Sequence, residues 1–153
     1  REEFKFKHNL KSDCRLLHRM VLKILEDTKQ VRLLRDPTRG GLATTLKEIA
    51  IQNQISLKLE EENILFKEEV ESMCEILGFD PLYLANEGKV IVIVGQEEAN
   101  HVVDIINQES ETQDARIIGE VIKDKGEEVY LKTKLGGTRI LEMLTGQLLP
   151  RIC

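Results

Sequence analysis

At 153 residues, with 41% hydrophobic and 32% charged side chains, the chain is expected to be one ordered globular domain with a core of its own. Its net charge of −5 repels phosphate backbones, and 4% aromatics without a tryptophan leave few stacking platforms, so nucleic acid is not its expected partner. No apolar run approaches the roughly 20 residues of a membrane-spanning helix.

The chain opens as "REEFKFKHNLKSD" on Arg1, without Met, and is expected to be a fragment or an isolated domain of something longer. Ser12 and Asp13 are placed to cap a helix over 14–28, whose apolar stripe is Leu17, Val21, Ile24 and Leu25. "VRLLR" reads as a strand and runs into the Asp-Pro-Gly-Gly turn of "RDPTRGG". The next segment, 42–54, has Leu42, Leu46, Ile49 and Ala50 at helical spacing. "ISLKLE" alternates apolar and polar residues as a half-buried strand does. The run "KLEEENILFKEEVESMCE" holds seven carboxylates and two lysines, a solvated face, and its second half, 67–78, is a helix stopped at Gly78.

"FDPLYLANEG" is an irregular or short helical link. "KVIVIVG" is the most apolar strand and is expected at the centre of its sheet. Residues 96–109 are helical, with Ala99, Val102, Val103 and Ile106 inward. "ARIIGEVI" and "EEVYLKTK" read as two strands joined through "KDKG" as a hairpin, and "GGTRILEMLTG" as a last short helix. Helices and strands mix without strict βαβ alternation, which predicts an α+β fold with a layered mixed sheet packed by helices. Residues 1–145 form that domain, and 146–153 a mobile C-terminal tail.

Cys14, Cys74 and Cys153 are too few and too scattered for a disulfide framework or a zinc pattern. Cys14 and His18 lie i, i+4, but two ligands do not fill a tetrahedral site, so no metal site is expected here. Reduced thiols and a cytoplasmic location are the consistent picture. "RDPTRGG" opens a helix, where free N–H groups, glycines and the charges of Arg35 and Arg39 suit an anion. The same residues also make an ordinary capped turn, and the motif by itself leaves both readings open. In "LANEGK", Asn86 and Glu87 precede a packed strand; partial desolvation there would raise a carboxylate's pKa toward that of a useful base, while a plain turn residue is the alternative. The chain ends "LTGQLLPRIC". Gly146 and Pro150 free the segment from any preceding helix, Leu148 and Leu149 can dock on an apolar surface, and Cys153 carries its thiol on the last residue. Such a thiol is a natural covalent carrier.

In chain order, "RDPTRGGLATTLKEIA", "DPLYLANEGK" and the terminal "PRIC" closely resemble the C-terminal half of the hydrogenase expression/formation protein HypE family, a relative of aminoimidazole ribonucleotide synthetase and selenophosphate synthetase. The resemblance spans nearly the whole chain and leaves out the family's N-terminal ATP-binding, dimerising half. It implies [NiFe]-hydrogenase maturation. Cys153 would accept a carbamoyl group through the carbamoyltransferase HypF. ATP, with Mg²⁺ held mainly by the missing half, would drive dehydration to a thiocyanate, and cyanide would pass to iron on HypC–HypD. It also implies Glu87 as the candidate base, Arg39, Gly40 and Gly41 at the phosphate end of the ATP cleft, and a homodimer of the full-length enzyme. This chain alone is expected to lack dehydratase activity. Two alternatives stand beside it: a docking module whose tail is a recognition peptide, and a sibling synthetase domain of the selenophosphate or purine pathway, which would not need "PRIC".

Overall fold

Alternation of period two puts the leucines of two segments under one sheet face. In the computed structural model, which describes residues 11–109, 114–124 and 126–144, β2 (Ser56–Glu60) buries Leu57 and Leu59 and exposes Lys58. Its neighbour β5 (Val129–Lys132) buries Val129 and Leu131 in register with them. The sheet runs β4 (Gly119–Ile122), β2, β5, β6 (Thr138–Ile140). Its β4–β2 and β5–β6 pairs are antiparallel and its β2–β5 pair parallel, so the predicted mixed sheet is present. A second, two-stranded ribbon pairs β1 (Val31–Arg35) antiparallel to β3 (Ile91–Val94).

The helices are α1 (His18–Asp27), α2 (Gly41–Asn53), α3 (Glu68–Leu77) and α4 (Ala99–Glu109). α2 lays Ala43, Leu46, Ile49 and Ala50 onto the leucines and valines of β2 and β5, and Leu82, Ile91 and Leu141 close the same core. A smaller cluster joins Ile24 of α1 to Val102 and Ile105 of α4, against Val31, Val92 and Val94 of the ribbon. Cys74 is buried as a small hydrophobe, and burial, with the Asp80 charge next in weight, raises its thiol pKa. Leu131 is fully buried at the sheet centre. Leu131→Ala is therefore expected to cost about 2–5 kcal/mol, read as a lowered urea midpoint at unchanged slope. None of the helices among the described residues is long and apolar enough to cross a membrane.

Five expectations are corrected. Ser12 and Asp13 do not cap α1: the helix starts at His18 with Leu17 at its N-cap and no side-chain cap, because both side chains find other donors. Leu25 is not part of the buried stripe but 42% exposed. "KVIVIVG" is not central in a larger sheet but one strand of the ribbon. It is apolar throughout because Ile91 and Ile93 serve the large core while Val92 and Val94 serve the small one. "KDKG" is not a hairpin, since β2 lies between β4 and β5. Finally, 138–140 is a strand and not a helix. The two glycines before it belong to a tight turn, with Gly136 at φ 87° and bonds from the Thr133 N–H to the Gly137 carbonyl (2.8 Å) and from the Gly136 N–H to the Thr133 carbonyl (2.9 Å). The β5–β6 hairpin closes through it. The tail, including Leu148, Leu149 and Cys153, lies outside the described residues.

Candidate functional site

The "RDPTRGG" turn is fastened to the "DPLYLANEG" segment by backbone contacts that only glycines permit. Gly40 (φ 69°) and Gly41 (φ 63°) are both left-handed and together start α2. A side chain on Gly40 would run into Thr44. One on Gly41 would stand 2.5 Å from the carbonyl oxygens of both Leu82 and Leu84. The Asn86 N–H donates to the Pro37 carbonyl at 3.1 Å, completing the join. The glycines thus answer first to the chain's own atoms. Arg39 is exposed, and with Arg35, Asp36, Thr38, Thr45 and Glu48 it borders a surface concavity beside the helix start. Arg35 is engaged with Glu48 there at 3.1 Å, which leaves Arg39 as the cation of this rim most able to turn toward an anion.

Asp80 organises the second segment. Its Oδ1 accepts from the Leu82 N–H at 3.0 Å, capping the short 3-10 turn Pro81–Tyr83, and its Oδ2 pairs with Arg139 at 2.8 Å. The Tyr83 hydroxyl donates to the Glu142 carbonyl at 2.9 Å. Burial first, then the Asp80 charge, raises the Tyr83 pKa, so the phenol stays protonated and keeps donating. These contacts tie the 80–88 segment to the stretch that precedes the tail. Lys47 adds a second tie. It is buried on α2, paired with Glu128 and 4.0 Å from Glu142. Sequence reasoning missed Tyr83, Asp80, Arg139 and Lys47. The Asp-Pro pair signals the Asp80 cap, but a lysine on a helix carries no mark of being buried.

Beyond the turn, Asn86 Nδ2 donates to the Leu84 carbonyl at 2.8 Å and its Oδ1 accepts from Lys89 at 2.6 Å. Partial desolvation, the largest influence, pulls the Lys89 pKa down, opposed by the nearby Asp13 carboxylate. Glu87 is exposed, so the burial expected from its place before a packed strand is not found in this chain. Its backbone is held from the other side: the Glu87 N–H donates to Asp13 Oδ2 at 3.2 Å, and Arg15 Nε donates to the Gly88 carbonyl at 2.9 Å. Gly88 is buried because the Asp13 backbone sits where its side chain would be. Arg39, Gly40 and Gly41 are therefore joined through 82–86 to Glu87, while Cys153 lies outside the described residues. No cluster of three or more His, Cys, Asp or Glu able to hold a metal exists among the described residues.

Comparison with known proteins places this geometry in a family. The family described as "AIR synthase related protein, C-terminal domain" matches residues 1–132. Carbamoyl dehydratase HypE of Cupriavidus necator is 44% identical over 153 residues, which is 100% of this chain and 44% of the relative. The carbamoyl dehydratase HypE of Azotobacter vinelandii is 42% identical over 100% of the chain and 45% of its own length. The chain thus spans less than half the length of these relatives. A crystal structure of the hydrogenase maturation protein HypE superposes with a TM-score of 0.90 at 41% identity, over 97% of this chain and 48% of that one. A crystal structure of hydrogenase maturation protein HypE in complex with ATP gives 0.89 at 41%, over 97% and 46%. A HypE–HypF complex gives 0.85 at 38%, over 94% and 46%. The chain belongs to the AIR synthase related family, as its C-terminal domain.

Proposed function

We propose that this chain is the C-terminal half of a cytoplasmic, ATP-dependent carbamoyl dehydratase that makes the cyanide ligands of [NiFe]-hydrogenase, with Cys153 as the covalent carrier. One observation carries the reading: the similarity to carbamoyl dehydratase HypE runs over all 153 residues, so it includes the terminal "PRIC" as well as the folded domain. The Cys153 thiolate attacks the carbamoyl carbon that HypF presents in activated form, derived from carbamoyl phosphate; the bond to the activating group breaks, and S–C(=O)–NH₂ forms. An amide oxygen is a poor leaving group, and ATP, as second substrate, converts it into a phosphate ester. That step releases ADP and one N–H proton and leaves S–C(OPO₃)=NH; Glu87 then takes the remaining N–H proton as phosphate departs, giving S–C≡N. Exposure on this half leaves the Glu87 carboxylate open to the arriving tail, and the cleft completed by the other half excludes water from the intermediate.

Arg39, beside Gly40 and Gly41, borders the phosphate end of that cleft, supported by its exposed guanidinium at a helix start. Mg²⁺, which ATP chemistry of this kind uses, is assigned in this reading mainly to the nucleotide-binding half of the full-length enzyme. Thiocyanate delivery to iron on HypC–HypD and a homodimeric full-length enzyme complete the reading. Intact-mass measurement of the full-length enzyme with HypF, carbamoyl phosphate and ATP tests it. The expected result is a gain of one carbamoyl group, then loss of one water, both abolished by Cys153→Ala. An adduct that survives Cys153→Ala, or none at all beside a demonstrably active HypF, would make the tail a recognition peptide and remove the covalent mechanism.

A further inference from the structure

Asp13, which the sequence places as a helix cap, is spent elsewhere. The segment 13–15 crosses the "LANEGK" loop and holds it at two points on either side of the Glu87 α-carbon. Asp13 Oδ2 accepts the Glu87 N–H at 3.2 Å, and Arg15 Nε donates to the Gly88 carbonyl at 2.9 Å. Between these points the Asp13 main chain fills the space a Gly88 side chain would need, so the two strands of chain cannot slide apart or rotate independently without losing both bonds. Both bonds involve an ionised side chain, which makes them stronger than neutral ones. On the far side the loop is fixed by the Asn86–Pro37 bond and by Lys89 on Asn86. An exposed carboxylate on a backbone held this way keeps one fixed origin for its three side-chain torsions and its reach.

We propose that Asp13 and Arg15 are positioning residues for Glu87, holding the backbone from which its carboxylate meets the carbamoyl N–H. The inference rests on the reading of Glu87 as the base. Neither residue touches the reacting atoms, so their removal should slow the dehydration step and leave carbamoyl loading on Cys153 and the KM for ATP unchanged.

The test is single-turnover dehydration of the Cys153-carbamoylated full-length enzyme, followed by intact mass. Asp13→Ala and Arg15→Ala are each expected to lower the rate about 10- to 150-fold, the scale of one bond to a charged group, with KM for ATP within about 2-fold of wild type. Asp13→Asn, whose amide oxygen accepts the same N–H, is expected to recover most of the rate. An Asp13→Asn enzyme as slow as Asp13→Ala, or both alanine variants at wild-type rate while Glu87→Gln is inactive, would overturn the positioning role. Wild-type turnover by Glu87→Gln would instead overturn the reading of Glu87 itself. Arg15→Ala acts on a different bond of the same loop, so the outcome does not hang on the folding of one variant.

Discussion

Under the proposed function, Glu87→Gln in the full-length enzyme is expected to stop the reaction between its two chemical stages. The carbamoyl adduct on Cys153 should form at the normal rate and accumulate, because in the proposed mechanism the transfer from HypF needs the thiol and not the base. Loss of water should slow by about 10²- to 10⁴-fold, the usual contribution of a positioned general base. Gln keeps the size and reach of Glu and lacks the site that takes the proton. Glu87 is exposed and only its backbone is held, so the substitution disturbs no packed contact and a lost rate cannot be assigned to unfolding. The readout is the ratio of carbamoylated to thiocyanate-bearing protein against time. Dehydration within about 3-fold of wild type would remove Glu87 from the mechanism.

Gly41→Ala and Gly78→Ala make the second test, and each is the control for the other. Both glycines have nearly the same left-handed backbone, φ 63° and φ 70°, so both alanines meet the same intrinsic cost of about 1–2 kcal/mol. Gly78 ends α3 with nothing within 4 Å of the added carbon, and that cost should be the whole effect. At Gly41 the new carbon would stand 2.5 Å from two carbonyl oxygens of the 82–84 segment. Those oxygens belong to backbone that cannot move without breaking the Asp80 cap and the Asn86–Pro37 bond. Gly41→Ala is therefore expected to destabilise by a further 2–3 kcal/mol or so, seen as a clearly lower urea midpoint than that of Gly78→Ala. Equal midpoints would mean that the turn and the "LANEG" segment are less tightly joined than their geometry states.

The difference between those two glycines marks where local pattern stops being informative. Gly78 is legible from sequence as a helix stop, because a left-handed C-terminal residue is a local requirement. Gly41 reads as a turn glycine of the same kind, and only its neighbours, forty residues further along the chain, give it a second duty. Gly136 and Gly137 show the same limit in reverse: placed before "TRILEML", they suit a helix start as well as a hairpin turn. The turn won because β5 needed an edge partner and Leu141 a place in the core.

By itself the sequence determined the class of fold and most of its elements. Period-two leucines in β2, period-3.6 residues in α2 and α4, and the glycine stop of α3 are local demands of backbone geometry on adjacent side chains. It also determined the family, through three motifs whose residue types are legible without coordinates. The tertiary structure decided everything that depends on which segments meet. It set β2 between β4 and β5 although a turn-like sequence joins the latter pair, because its leucines complement Val129 and Leu131. It made β3 half of a ribbon that serves two cores, and so apolar along its whole length. It moved Asp13 from a helix cap to the backbone of Glu87, and joined the "RDPTRGG" turn to that same loop through Leu82, Leu84 and Asn86. Contacts of this kind span up to 74 residues of chain, and a periodicity read over a dozen neighbours carries no record of them.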